Sequence, residues 1–220
     1  MVAWEKAKGK QTNGDRQKRE IERVTLGLGD TKLRLTGDVM PRYCYWVVTK
    51  DGKKMPVECL QFDRETETFN SSTRDPFKEI NPDVYAEKPQ FAYVCNVIDR
   101  KDNKIKLLDL RSTIYAQIVD YATNPEYGSP ADNDTGYDLT LKKEKTGPLP
   151  QTVKYTVIPA RSSKALTDDE RSMELYDLSK IFKRQTYDEQ KQWLLENTTL
   201  FAGDVGDEFK PSSEGVDDLA

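Results

Sequence analysis

The sequence predicts a mainly β protein: an OB-fold, drawn as a five-stranded Greek-key barrel with a helix between strands 3 and 4, then C-terminal helices and an acidic tail. Three observations carry that expectation. Alternating apolar and β-branched runs recur between residues 24 and 159, punctuated by Gly, Asn, Asp and Pro turn signals. A single clear helical period interrupts them after the third strand region. Beyond Pro159 the spacing turns helical and the strands stop. Five strands with one helix before the last two is the order of the small barrel whose middle strands and long loops bind single strands.

The elements follow in chain order. From Val24 to Leu35, VTLGLGDTKLRL alternates about a Gly-Asp turn signal, and RYCYWVV at 42 to 48 runs into the turn Lys50-Asp51-Gly52-Lys53, with MPVECLQF as the next strand. Residues 63 to 90 are polar and Pro-interrupted and read as a long insertion or loop with one short helical turn. FAYVCNVI and KIKLLDL flank Asp99-Arg100-Lys101-Asp102-Asn103, the clearest hairpin in the chain. In STIYAQIVDYA, Ile114, Ile118 and Tyr121 or Ala122 recur at three and four, with Ser112 available as N-cap and Asn124-Pro125 as the stop. YDLTLKKE and TVKYTVIP, joined by Lys145-Thr146-Gly147-Pro148, complete the strands. LTDDERSMELYDLSKIFKR then reads as a helix with Thr167 and Glu170 at capping-box spacing, and YDEQKQWLLEN as a second helix packed on the barrel.

Composition narrows the chemistry. The 220 residues hold 34 Lys plus Arg against 38 Asp plus Glu, with 36% hydrophobic residues, enough for one core but not for two full domains. No apolar run approaches a membrane span and the first ten residues lack a signal-peptide core, so a cytoplasmic protein is expected. Having no histidine removes Ser/His/Asp and Cys/His catalysis, and Cys44, Cys59 and Cys95 make neither a disulfide framework nor a four-ligand zinc site. No cofactor is expected. Charge is uneven along the chain: residues 1 to 24 sum to +3, and residues 201 to 220, with one lysine and six acids, sum to −5. Three segments follow, a basic arm at 1–23, a core at 24–200 and an acidic disordered tail at 201–220, in which Asp204, Asp207, Glu208, Asp217 and Asp218 are the expected partner-binding residues.

Rings beside cations mark the expected binding surface. On a strand, RYCYWVV puts Tyr43 and Tyr45 on one face and Trp46 on the other. Phe91 and Tyr93 share a face of the strand entering the basic hairpin, and Tyr155 lies in the last strand. Bases stack on such rings with little sequence preference, while cations follow the phosphates; the candidates are Arg42, Lys53, Lys54, Arg100, Lys101, Lys104, Arg111, Lys142, Lys143 and Lys145. Barrel-filling strand residues have the same composition, so the reading rests on clustering. Gly27-Leu28-Gly29-Asp30 lacks the third glycine of a dinucleotide loop, and Lys8-Gly9-Lys10 lacks the features of a phosphate loop. Asp83, Asp102 and Lys104 have the residue types of a metal-dependent nuclease, the alternative function, although Asp102-Asn103 is also ordinary turn chemistry. A protein-interaction or virion module is a third reading.

FAYVCNVIDRKDNKIKLLDLRSTIYAQIVDYA and GYDLTLKKEKTGPLPQTVKYTVIPARSSKAL resemble the core of the replication single-stranded DNA-binding (helix-destabilising) proteins of T-even-type phages and their shorter relatives. The likeness lies in Gly136, Asp138, Leu139, Leu141, Lys142, Gly147, Tyr155, Val157 and Pro159, and in element order over roughly residues 24 to 200. It implies an OB-fold, cooperative self-association on DNA, non-specific coating of single-stranded DNA during replication, recombination and repair in the infected host cell, and a tail that recruits replication or recombination proteins. The T-even members hold zinc in a His/Cys subdomain, whereas this chain has no histidine and only Cys59 near that place, so no metal is carried over. Their compact Lys-Arg-Lys-Ser-Thr run is also missing from the arm.

Overall fold

The structure is a computed structural model that describes residues 20–80, 88–149 and 152–200. The acidic tail, most of the basic arm and Asp83 lie outside the described residues. Within them the chain forms β1 (Gly29–Met40), β2 (Tyr43–Val48), β3 (Lys54–Glu58), α1 (Pro76–Ile80), β4 (Gln90–Phe91), β5 (Val94–Asp99), β6 (Lys104–Asp109), α2 (Ser112–Thr123), β7 (Leu139–Lys145), β8 (Val153–Pro159), α3 (Asp168–Ser172), α4 (Leu178–Ile181) and α5 (Tyr187–Asn197).

These strands make two sheets. The larger is antiparallel with order β6-β5-β1-β7-β8, and α2 connects its third and fourth strands in chain order, an arrangement compatible with an OB-like fold. No closed barrel is found: β6 and β8 are the two ends of the sheet, with no pairing between them among the described residues. The smaller sheet, order β3-β2-β4, is inserted between the first and second strands of the larger one. RYCYWVV and MPVECLQF, expected as barrel strands, therefore build a separate layer. Alternation alone does not reveal which sheet a strand joins, because the period is two in either.

β1 serves both halves of the main sheet. Its first residues pair with β7, its later ones with β5, and the register slips between Thr36 and Val39. Gly37 sits there at φ 66°, a conformation that costs glycine little and lets the strand bulge and bend. One face of the sheet carries Leu33, Leu35, Cys95, Val97, Leu139 and Leu141 into the main core with Tyr45, Val57, Phe77, Ile114 and Leu194. The other face sends Val94, Ile98, Ile105 and Leu107 against Leu166, Tyr176 and Leu178. β5, buried along its whole length, is apolar almost throughout for that reason. Its one amide, Asn96, exchanges two hydrogen bonds of 3.0 Å with the backbone of Tyr176.

Those bonds explain a second difference. The segment expected as one long helix after Leu166 forms α3 and α4 with an extended stretch between them, where Tyr176 docks on Asn96 and Asp177 starts α4 by accepting from the Lys180 amide. The Thr167–Glu170 capping box is present at α3, and a second one, Thr186–Glu189, opens α5. The polar segment read as a loop holds a Phe62–Phe69 bridge and α1. Glu20–Arg23, assigned to the arm, belongs to the fold: Leu107 of β6 exchanges backbone hydrogen bonds of 2.9 Å with Glu22 and Val24. No helix among the described residues is long and apolar enough to cross a membrane.

Candidate functional site

β2 is the starting point, because its two faces have different fates. Tyr43, Tyr45 and Val47 point to the core; Cys44, Trp46 and Val48 point the other way, over the outward face of the small sheet. Tyr45 is 1% exposed, stacks on Phe77 at 4.1 Å and directs its hydroxyl to Cys59 Sγ at 3.3 Å. Burial and that bond push its pKa up. Trp46, one residue on, is 38% exposed and has no ring partner among the described residues. Pro56 lies opposite it on β3, an edge strand where a missing N–H costs the ladder nothing.

A cleft of about 460 Å³ opens beside Trp46, lined also by Phe91, Phe182, Arg23, Arg42 and Arg111. Phe91 comes from β4, paired across from Tyr43, and stacks on Tyr93 at 3.9 Å. Arg42 lies 4.2 Å from the centre of the Phe182 ring with its Nε 3.5 Å from Glu58. Arg23 is held by both carboxylate oxygens of Asp109 at 2.5 and 2.6 Å. Arg111 occupies the N-cap of α2, where Ser112 was expected, and makes no side-chain cap hydrogen bond. Its guanidinium is left to lie 5.0 Å from the centre of the Tyr155 ring, and Lys143 Nζ lies 5.8 Å from the same ring. Lys145 shares that face of β7, and Lys54 shares the outward face with Trp46.

No family model matches the chain. The chain is similar to a probable ssDNA-binding protein of Escherichia phage T5. The two are 33% identical over 151 residues, which is 64% of this chain and 56% of that relative, so the match spans little more than half of the relative's length.

The structure thus gathers Trp46, Phe91, Arg42 and Arg111 at the cleft, and Arg111 links it to Tyr155 and Lys143, a track of rings and cations, with Lys145 further along β7 and Lys54 on the outward face of the small sheet. The remaining candidates lie elsewhere. Tyr43 and Tyr93 join Phe62, Phe69 and Phe91 in a cluster of tilted and stacked rings, and the Tyr93 hydroxyl donates to Glu67 at 2.8 Å. Arg100, with a side chain 13% exposed, is fixed by Asp138 at 2.8 Å and by Glu170. It ties α3 to the main sheet, a structural task that hairpin composition does not disclose. Lys101 lines a separate cleft of about 570 Å³ with Lys32 and Arg23, and that cleft has no aromatic wall. Lys104 pairs with Glu22 at 3.5 Å, Lys53 with Asp51 at 2.7 Å and Lys142 with Glu144 at 2.7 Å.

Asp102 is a turn residue. It accepts from the Lys104 amide and pairs with Lys106 at 2.7 Å, and that lysine holds its carboxyl below the ordinary range. No cluster of three or more His, Cys, Asp or Glu suited to a metal occurs among the described residues. Phe182 is the cleft residue that sequence reasoning missed, since it was counted only as part of a helix face. Arg23 was counted only as part of the arm. The signal for both is long-range: Arg23 is brought there by bridging to Leu107 of β6, and Phe182 by packing on the cluster around Val94 and Ile98.

Proposed function

We propose that this chain is a sequence-non-specific single-stranded DNA-binding protein that coats single strands in phage DNA replication, recombination and repair, without catalysis of its own. The observation that carries the reading is the cleft in which exposed Trp46 and half-buried Phe91 stand near Arg23, Arg42 and Arg111, with Arg111 leading on to the Tyr155 ring. Rings offer stacking worth about 1–3 kcal/mol per base, and guanidinium groups neutralise phosphates without reading sequence. The likeness to the T5 relative, named as a probable ssDNA-binding protein, supports the same reading.

The mechanism is linkage. A protein that binds the single strand and not the duplex lowers the free energy of the melted state by an amount that grows with the logarithm of its free concentration once that exceeds the dissociation constant. In the same proposal the protein works in the cytoplasm of the infected host cell and associates with itself along DNA. Asp204, Asp207, Glu208, Asp217 and Asp218 recruit replication or recombination proteins.

Fluorescence anisotropy of labelled oligo-dT, with a duplex of equal length and a salt series, tests the core of this. Binding to the single strand, weak response to the duplex and a linear fall of log affinity with log salt are expected, each neutralised phosphate contributing a slope of about 0.7. Equal affinity for both forms, or none at low salt, would refute it.

A further inference from the structure

The track does not end at Phe182. Beside that ring is a second hollow of about 250 Å³, and Arg42, Pro56 and Phe182 line both hollows, so the two are neighbours. The second hollow repeats the chemistry of the first: Trp193 of α5 supplies an aromatic wall, Met55 an exposed apolar one, and Lys183 an exposed cation. Glu58 also faces it, but that carboxylate is engaged by Arg42, Arg64 and Arg184, three guanidinium groups on one acid, so the floor is positive.

We infer that the second hollow is a further nucleotide subsite, and that a single strand stacked at Trp46 runs on past Phe182 to Trp193. This rests on the proposed function and extends it to the C-terminal segment, in which no nucleic-acid role is otherwise assigned. Continuity of lining argues for one occupant, the same strand. Excess positive charge argues for a polyanion. Phe182, stacked on Arg42 at 4.2 Å, serves both sides as the ring between successive subsites.

Two single-tryptophan proteins test it. The pair Trp4→Phe with Trp193→Phe leaves Trp46 as reporter; the pair Trp4→Phe with Trp46→Phe leaves Trp193. Each is titrated with an oligo-dT longer than the about 4–16 nucleotides that one OB-fold covers, with anisotropy of the labelled strand recording saturation. Quenching of both reporters is the expected result, together with a salt slope lowered by about 0.7 in Lys183→Ala. Quenching at Trp46 with Trp193 emission unchanged at saturation, and an unaltered slope in Lys183→Ala, would overturn the subsite and leave the proposed function standing. No anisotropy change in either protein or in the parent chain would overturn both.

Discussion

The Arg111 guanidinium lies 5.0 Å from the centre of the Tyr155 ring, bringing the N-terminus of α2 onto the last strand of the main sheet. Gln117, two turns further along α2, holds them in register. Its Nε2 donates to the Tyr155 carbonyl at 3.1 Å, and its Oε1 accepts from the Val157 amide at 2.9 Å. One side-chain amide thus takes the place of a neighbouring strand on the free edge of β8, and covering such an edge also guards against pairing with another chain.

Replacing Gln117 by Ala leaves two edge groups of β8 unpaired. A loss of about 1–3 kcal/mol in stability is expected, along with weaker binding of oligo-dT although no cation or ring of the track is touched. Urea unfolding and anisotropy measure the two effects. An unchanged unfolding midpoint would remove Gln117 from its positioning role.

Arg111 and Arg100 carry the same charge and should behave oppositely. Arg111→Ala is expected to lower the salt slope by about 0.7 with little change in stability. Arg100→Ala removes the guanidinium shared by Asp138 and Glu170 in a mostly buried site and leaves Asp138 only Lys32 at 3.6 Å, so a stability loss of about 3 kcal/mol with the salt slope intact is expected. Matching salt slopes for the two variants would contradict the division between phosphate contact and structural tie.

Neighbouring residues on β2 give a second contrast. Tyr45→Ala removes a core ring and is expected to cost about 3–5 kcal/mol of stability. Trp46→Ala is expected to cost about 1–3 kcal/mol of binding and little stability. Chemical denaturation and oligo-dT titration of both variants separate the faces, and a binding loss in folded Tyr45→Phe equal to that of Trp46→Ala would reverse the assignment.

Alkaline pH should weaken the fold. Burial pushes the Cys44 thiol up to about 11 and the Cys95 thiol up to about 12, and it raises Cys59 and Tyr45 as well. The folded state therefore holds these protons more tightly than the unfolded chain. Their contribution is complete below the ordinary thiol value of 9.0 and is lost as pH rises through 11 to 12. The urea midpoint should fall steadily above pH 9, and a thiol reagent at pH 8 should label the chain only after unfolding. A flat midpoint to pH 11 would show that the thiols are not shielded as described.

What the sequence discloses here is local. The hairpin at Asp99–Asn103 was legible because Asn103 accepts the left-handed φ of 53° that closes it, and the start of α3 because Thr167 and Glu170 stand at capping-box spacing. β7 and β8 were legible from alternation. The insertion of β2-β3-β4 as its own sheet was not, since nothing in the period of a strand names its partner. Site residues followed the same rule. Trp46 near Arg42, and Phe91 and Arg111 further along, were identifiable as candidates by residue type, but Tyr45 and Arg100 have the same types, and only packing against Phe77 or pairing with Asp138 distinguishes them. Phe182 and Trp193 lie more than 130 residues beyond Trp46 in sequence, and the C-terminal segment carries them back to the two hollows.

The most direct test of the account is photocrosslinking of the full chain to oligo-dT carrying halogenated uracil, followed by peptide mapping. Adducts on the peptides that hold Trp46, Phe91 and Tyr155 are the expected result. Adducts confined to the Lys101–Lys104 hairpin, or to the opposite face of the sheet around Lys32, Lys142 and Lys154, would place the strand away from the aromatic cleft and contradict it.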